Sequence, residues 1–475
     1  MTFRSTWVFA PVLLCLAAVA CGDDDDSDPG ANAGRPGAGA AGSAGSSGDA
    51  GTGGDGGSGD AGSGGVSGGS AGTGGSAEGG ASGDTGEPLL DRPAEITYAC
   101  EVTRPMALLG LNPWTSGGLL AGDGGAYLPR LEGDFSGGSR LAWSTLDVDG
   151  MLGAPSVAHE DLMSQLTVAE GSDRFTLLWS QLSQALPAVG GDLAVAQVNA
   201  AGEVITAPAP LGLAGDGEPQ SPIIAASGTG YGIAWTQSGD PTSTIQFSRL
   251  DADGSATGRV SPIIEGSGLL DPHDLVQHGQ GFVLTYSHVD FNASIQGTFY
   301  VVLDADGVPE GDPVQLGAGF GATSVLQRED RLLVAWVEEG GEFDDESLHR
   351  TIRIGAIGPS GERLGPTYAL QSPVVNEENV DPRLVDLGDD VGLLWSQGTV
   401  IYFCAGCFPD NHLEFAVFDG DDFTRRSEVL ELASPTTFGL RLPHAVPSAS
   451  DILVVANVTH HVDAEGASAT IRCTP

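Results

Sequence analysis

From about residue 92 to the C-terminus, short apolar runs alternate with clusters of Gly, Pro and Asp. One run recurs: "FTLLWSQ" (Trp179), "YGIAWTQ" (Trp235), "FVLTYSH" (Tyr286), "LLVAWVE" (Trp336), "VGLLWSQ" (Trp395) and "ILVVANV" (Ala456). These runs are too short for helices and rich in β-branched and aromatic residues, which predicts strands. They are apolar on consecutive positions, so both faces are expected to be buried. Shorter runs flank each one, such as "SPIIAAS" and "PRLVDLG" before it and "GRVSPII" after it.

Between the flanking runs lies a turn with its own column: "LDVDG" ending at Gly150, "VNAAG" at Gly202, "LDADG" at Gly254 and Gly307, and "IGPSG" at Gly361. A weaker member, "FDGDD", ends at Asp422. The glycines are 52, 52, 53 and 54 residues apart. Gly supplies a positive φ, and Asp or Asn can bond its own backbone, so the column reads as a hairpin turn. An EF-hand loop would need a third acidic ligand, a distal Glu and flanking helices. A sialidase-type Asp box would add a Trp, which this column lacks.

A fixed period of this size signals stacked units of four short strands. With both faces buried, such units fit the blades of a β-propeller. The expected fold class is all-β, a seven-bladed propeller over residues 92–475, with six or eight blades as alternatives. The last unit (435–475) lacks a fourth strand, and "AEITYACEVT" (94–103) can supply it and close the ring. Cys100 and Cys473 lie in those two strands, so a disulfide pinning the ends together is expected.

The N-terminus changes the picture. "MTFRSTWVFAPVLLCLAAVAC" has Arg4, an apolar run and closing small residues, the form of an export signal over residues 1–20. Residues 21–91 are dominated by Gly, Ala, Ser and Asp, a disordered linker by composition. About 67 such residues reach roughly 40–50 Å. "LAAVAC" resembles a bacterial lipobox, which makes Cys21 the lipidated residue; Ala18 stands where that motif prefers Leu. "AVA" also suits an ordinary signal peptidase and soluble export. Signal, tether and repeats together resemble cell-envelope lipoproteins with Gly/Ser/Ala-rich tethers and β-propeller repeats. That resemblance implies an outer-membrane or cell-surface address, with a secreted or periplasmic soluble protein as the alternative. It carries no single function.

The formal net charge is −44, and all 19 basic residues are Arg. Nucleic acid is excluded as a partner on charge. Membrane contact is expected only through a lipid anchor, and the protein is expected to be a monomer. An envelope protein or a glycan is the expected partner.

Candidate chemistry is sparse. Cys404 and Cys407 form a C-x-x-C in a long loop, read as a local disulfide in an exported chain. Zinc held with His412, or a redox pair, are the other readings. The acidic stretch Glu338, Glu339, Glu342, Asp344, Asp345 and Glu346 offers oxygen ligands for Ca²⁺, or is a solvated charge run. His288, Asp290, His460 and His461 sit in other loops of the expected ligand face. The innermost strands carry Gln220, His273, Asp274, Arg383 and His444, a candidate ligand face at the channel mouth. No Ser-His-Asp arrangement with a nucleophile elbow is visible. The expected function is a non-catalytic binding or scaffold protein. A propeller-type glycan hydrolase or lyase is the alternative, and a structural spacer is the second.

Overall fold

The computed structural model describes residues 93–475, apart from 110–114, 117, 123, 135–137, 162, 182–190, 214–216, 240–241, 291–292, 320, 341–348, 371–376, 400–410, 436–439, 449–450 and 459–464. The signal segment, Cys21 and the tether lie outside the described residues. So do Cys404, Cys407, Glu342, Asp344, Asp345, Glu346, His460 and His461.

The described residues contain strands and no α-helix. The first strand, β1 (Pro93–Leu108), pairs with the last one. The first local sheet follows it in sequence: β2 (Thr115–Ser116) and β3 (Leu120–Gly122) pair with β4 (Gly125–Asp134), then come β5 (Gly138–Asp147) and β6 (Ser156–Asp161).

Four sheets of four antiparallel strands follow. They are β7 (Met163–Glu170), β8 (Phe175–Gln181), β9 (Asp192–Val198) and β10 (Val204–Pro210); then β11 (Pro219–Ser227), β12 (Gly230–Gln237), β13 (Thr242–Asp251) and β14 (Ala256–Ser267). Next come β15 (Leu269–His278), β16 (Gly281–Asp290), β17 (Ile295–Leu303) and β18 (Val314–Ala318); then β19 (Thr323–Gln327), β20 (Leu332–Gly340), β21 (His349–Ile357) and β22 (Arg363–Leu370).

The rest forms one nine-stranded sheet in two antiparallel sections. One holds β23 (Glu377–Leu387), β24 (Asp390–Thr399) and β25 (His412–Asp419), with β26 (Arg425–Ser427) and β27 (Leu430–Leu432) both on the far side of β25. The other holds β28 (Leu440–Ser448), β29 (Asp451–Val458), β30 (Glu465–Thr474) and β1. A parallel pairing of β1 with β26 joins the two sections.

The first strands of successive sheets touch in turn: β7, β11, β15, β19, β23 and β28. β28 then reaches β3 and β4, and β4 reaches β7. The circle closes, and the arrangement is β-propeller-like. Closure is made by β1, which extends past the expected 94–103 and pairs Leu108 with Ala467 on β30. Cys100 sits directly opposite Cys473 and is disulfide-bonded to it, with Cα atoms 4.1 Å apart.

The consecutive apolar positions have the expected cause. On β12, Trp235 packs into a cluster with Leu178 and Leu193 of the preceding sheet. Its neighbour Ala234 packs into one with Phe282 of the following sheet. A strand sandwiched between two sheets must be apolar on both faces. Trp179, Trp235, Trp336 and Trp395 are all buried.

The repeated turn is a backbone device. Asp304 Oδ1 accepts the N–H groups of Asp306 and Val308 at 2.9 and 2.8 Å. Asp147 and Asn199 do the same in their turns. Gly307 closes its turn at φ 77°. A Cβ there would lie 1.9 Å from the Phe247 ring, so the preceding sheet's core also demands glycine.

Candidate functional site

The innermost strands carry a recurring irregularity. On β7, β11, β23 and β28 the pairing register shifts. The residue at the shift adopts a left-handed backbone: Gln165 at φ 52°, Ser221 at 48°, Asp381 at 53° and Leu442 at 50°. β15 shifts at the same place, around His273. These are β-bulges, which bend a strand and re-aim the side chains that follow. Recurrence across sheets makes the bulge a property of the inner wall.

Beyond each bulge one register position is shared. It lies opposite the residue just before the aromatic column, and β19 reaches it without a bulge. Thr167, Ile223, Asp274, Ser324, Arg383 and His444 occupy it, paired with Leu178, Ala234, Thr285, Ala335, Leu394 and Val455 respectively. Three of the five candidate ligand-face residues therefore fall in one layer of the inner wall. His273 sits within the bulge beside Asp274, and Gln220 lies one residue before the bulge of β11.

Side-chain acceptors stitch neighbouring inner strands together. Asp274 Oδ2 accepts the Val325 N–H at 3.1 Å, and Ser324 Oγ accepts the Leu384 N–H at 3.0 Å. One layer away, Gln165 Oε1 accepts from Ser221 at 2.7 Å and Asp381 Oδ2 from Leu442 at 3.3 Å. These inner strands are sheet edges, so their N–H groups need such partners.

Arg383 cannot act as an acceptor. Its Nε donates to the Pro443 carbonyl at 3.5 Å. Among the described residues, no carboxylate lies within ion-pair distance of its guanidinium. Its charge is nevertheless felt. Burial pushes the Asp274 carboxyl up to about 6, with Arg383 and the bonds from Val325 and Thr323 pulling back. Burial, reinforced by Arg383, lowers His444 to about 3. Burial also lowers His273, opposed by Asp271. His273 Nε2 lies 2.7 Å from Ser287 Oγ. At neutral pH the layer thus presents one arginine cation, the neutral imidazole of His444, and the Asp274 carboxyl, which protonates unusually easily.

The other candidates are dispersed. Glu338 is ion-paired to Arg353, and Glu339 to Arg350, with Gln296 donating to Glu339 at 2.8 Å. These two carboxylates are committed to strand-to-strand pairs, and no cluster of three metal-ligating side chains occurs among the described residues. His412 faces Glu414 at 3.6 Å. Asp290 is buried, bonds the Ser267 hydroxyl and accepts the Ala293 N–H at 3.1 Å. His288 Nε2 bonds the Ser267 carbonyl at 3.0 Å.

Sequence reasoning missed Ser324, which shares the layer, and Arg130, fully buried and bonded to Ser144 and Glu132. Arg130 pairs with Ala142 on β5, the place that Trp holds on other middle strands. A charged residue in an apolar column was the available signal. Ser324 gave none, because its place depends on register.

No family model and no curated protein matches the chain. Among solved structures it is similar to the polysaccharide lyase Uly1, at 10% identity over 77% of this chain and 90% of that one, with TM-score 0.47. It is also similar to the endosialidase of phage phi92, at 9% identity over 79% and 70%, with TM-score 0.45. A third is the β-propeller domain of the Trilobed protease from Pyrococcus furiosus, described as having an open velcro topology, at 8% identity over 75% and 94%, with TM-score 0.41.

Proposed function

We propose that this chain is an envelope-anchored binding protein. In this reading a seven-bladed propeller binds a small anionic ligand at its inner wall. Cys21 carries the lipid, residues 22–91 are the tether, and the protein is a monomer at the outer membrane or cell surface. One observation carries the ligand class: Arg383 presents a guanidinium that no carboxylate among the described residues ion-pairs, in a layer whose imidazole, His444, is neutral and whose carboxyl, Asp274, is engaged by the Val325 N–H. A planar fork of donors suits a carboxylate or sulfate. The envelope supplies acidic sugars of that chemistry. Gln220, His273 and His444 add neutral hydrogen-bonding groups to the same wall.

Titration calorimetry on the full chain tests this, with glucuronate and galacturonate against glucose and galactose. The acidic sugars bind, the neutral parents do not bind at this wall, and Arg383→Gln abolishes the difference. Acidic-sugar binding that survives Arg383→Gln sinks the assignment. No binding of any acidic sugar leaves the structural-spacer reading.

A second reading is a glycan hydrolase or lyase. It is favoured by Asp274, whose carboxyl sits at about 6, sharing a layer with the neutral His444. The Asp274 carboxyl is thereby poised for acid–base work near neutrality. Release of new reducing ends from polyuronates, lost in Asp274→Asn, would establish turnover.

A further inference from the structure

A groove of about 580 Å³ lies away from the inner wall, where the outer strand β14 meets the flank of the next sheet. Glu265 on β14 lines one side, and Tyr286, His288, Ile295, Phe299 and Gln315 line the other. The register builds this surface as one row: Tyr286 pairs with Phe299, and Phe299 pairs with Gln315. The two rings stack with centroids 5.5 Å apart and planes 19° apart. His288 pairs with Gly297, whose missing side chain lets Gln315 and Phe299 close over it: a Cβ there would lie 2.7 Å from the Gln315 amide and 3.0 Å from the Phe299 ring.

One lining residue departs from the repeated column. The corresponding position is a buried Trp on β8, β12, β20 and β24, and Tyr286 on β16. A phenol is smaller than an indole, and it ends in a hydroxyl.

The Tyr286 ring is buried, but its hydroxyl, unlike the enclosed indole N–H groups of Trp179, Trp336 and Trp395, opens on the groove and has no protein hydrogen-bond partner among the described residues. Burial alone raises its pKa. The phenol therefore offers one donor and one acceptor to whatever occupies the groove.

The rim states what that ligand offers. His288 Nε2 donates to the Ser267 carbonyl, and in that tautomer Nδ1 is an acceptor. The Gln315 amide nitrogen donates to the Gly317 carbonyl at 3.2 Å, leaving its oxygen as an acceptor. Among the described residues, Glu265 receives one long bond, from Thr242 at 3.5 Å. Three acceptors and one phenol surround an aromatic and aliphatic floor formed by Phe299 and Ile295. The complement is a molecule rich in hydroxyl donors with an apolar face and no negative charge. The volume holds more than a single small amine and lies within the range of ligand pockets.

We propose that this groove is a second binding site, independent of the inner wall, and that it takes a neutral saccharide. Tyr286 supplies a hydroxyl that opens on the groove, Phe299 the apolar platform, and Glu265, His288 and Gln315 the acceptors for sugar hydroxyls.

The test uses the full chain with maltotriose, cellotriose, xylotriose and triacetylchitotriose, read by saturation-transfer NMR and calorimetry. Putrescine and glucuronate serve as charged controls. At least one neutral trisaccharide is expected to bind. Tyr286→Phe, which keeps the ring and removes one hydroxyl, weakens it about three- to tenfold. Phe299→Ala abolishes binding, and Arg383→Gln leaves it unchanged, separating this site from the inner wall. The proposal is overturned if no neutral trisaccharide binds, if only a charged control binds at this groove, or if binding is indifferent to Tyr286→Phe and Phe299→Ala.

Discussion

Ser324 Oγ accepts the backbone N–H of Leu384 at 3.0 Å, across the gap between two sheets. Ser324 is 2% exposed, so this bond ties adjacent inner strands where water does not compete. Ser324→Ala leaves a buried N–H unmatched and is expected to cost about 1–3 kcal/mol. Urea midpoints at constant slope measure it. A change under about 0.3 kcal/mol would mean that the inner strands hold their spacing without such ties.

The Cys100–Cys473 bridge joins positions 373 residues apart. Replacing both by Ser frees the closing strand in the unfolded chain and should cost about 3–5 kcal/mol in the chain-entropy account. β1 pairs with both β26 and β30, so it is the element expected to open first. Hydrogen exchange with and without reductant would show protection lost from 93–108 before any other strand.

Gly307→Ala meets two penalties, a φ of 77° and a Cβ 1.9 Å from the Phe247 ring. The expected loss is about 2–4 kcal/mol, more than backbone preference alone would give. Gly279→Ala has φ 58° and open space around its Cβ, and should cost about 1 kcal/mol. Equal losses at the two sites would show that Phe247 moves aside freely.

Acid stability should carry opposed contributions from the inner wall. An unfolded His takes its proton near pH 6.5, roughly, while folded His444 stays neutral down to about 3. The unfolded state then binds more protons in that window. This contribution is full above about 6.5 and lost as pH falls toward 3. Asp274 runs the other way. Its folded carboxyl sits at about 6, against roughly 3.9 unfolded, so its contribution is full below about 3.9 and lost as pH rises through 6. His444→Gln should flatten the acid limb. Asp274→Asn should raise stability at pH 7.5 by on the order of 1–3 kcal/mol. Urea midpoints between pH 4 and 8 would read both, and parallel curves for all three proteins would refute the assignment.

The repeated Asp turns should be indifferent to metal. Asp304 Oδ1 is already engaged by two backbone N–H groups. Chelation with EDTA is expected to leave the thermal midpoint unchanged. Asp304→Ala should cost about 1 kcal/mol as a lost turn bond. A midpoint drop on chelation, restored by Ca²⁺, would return the acidic residues to the list of ligands.

Much of the architecture was legible because it is written locally. Two faces of burial force consecutive apolar residues, as at Ala234 and Trp235, and a turn with positive φ selects Gly, as at Gly150 and Gly307. The terminal closure was legible as well, since one unit lacked a strand, one strand lacked a unit, and Cys100 and Cys473 marked both. The layer that joins Asp274, Ser324, Arg383 and His444 was only half visible. Their equivalence depends on bulges that shift register by one residue before Asp274, Arg383 and His444 but not before Ser324, and a bulge follows from how strands crowd at the centre. The groove beside Tyr286 was not visible at all. The sequence shows Tyr in a column of Trp, but whether the freed space fills or stays open depends on side chains drawn from four strands of two sheets. Local pattern by itself determined strand, turn and period, because those are set by neighbours in the chain. Only the tertiary structure decided where unmatched polar atoms face open space, because that depends on packing between segments distant in sequence.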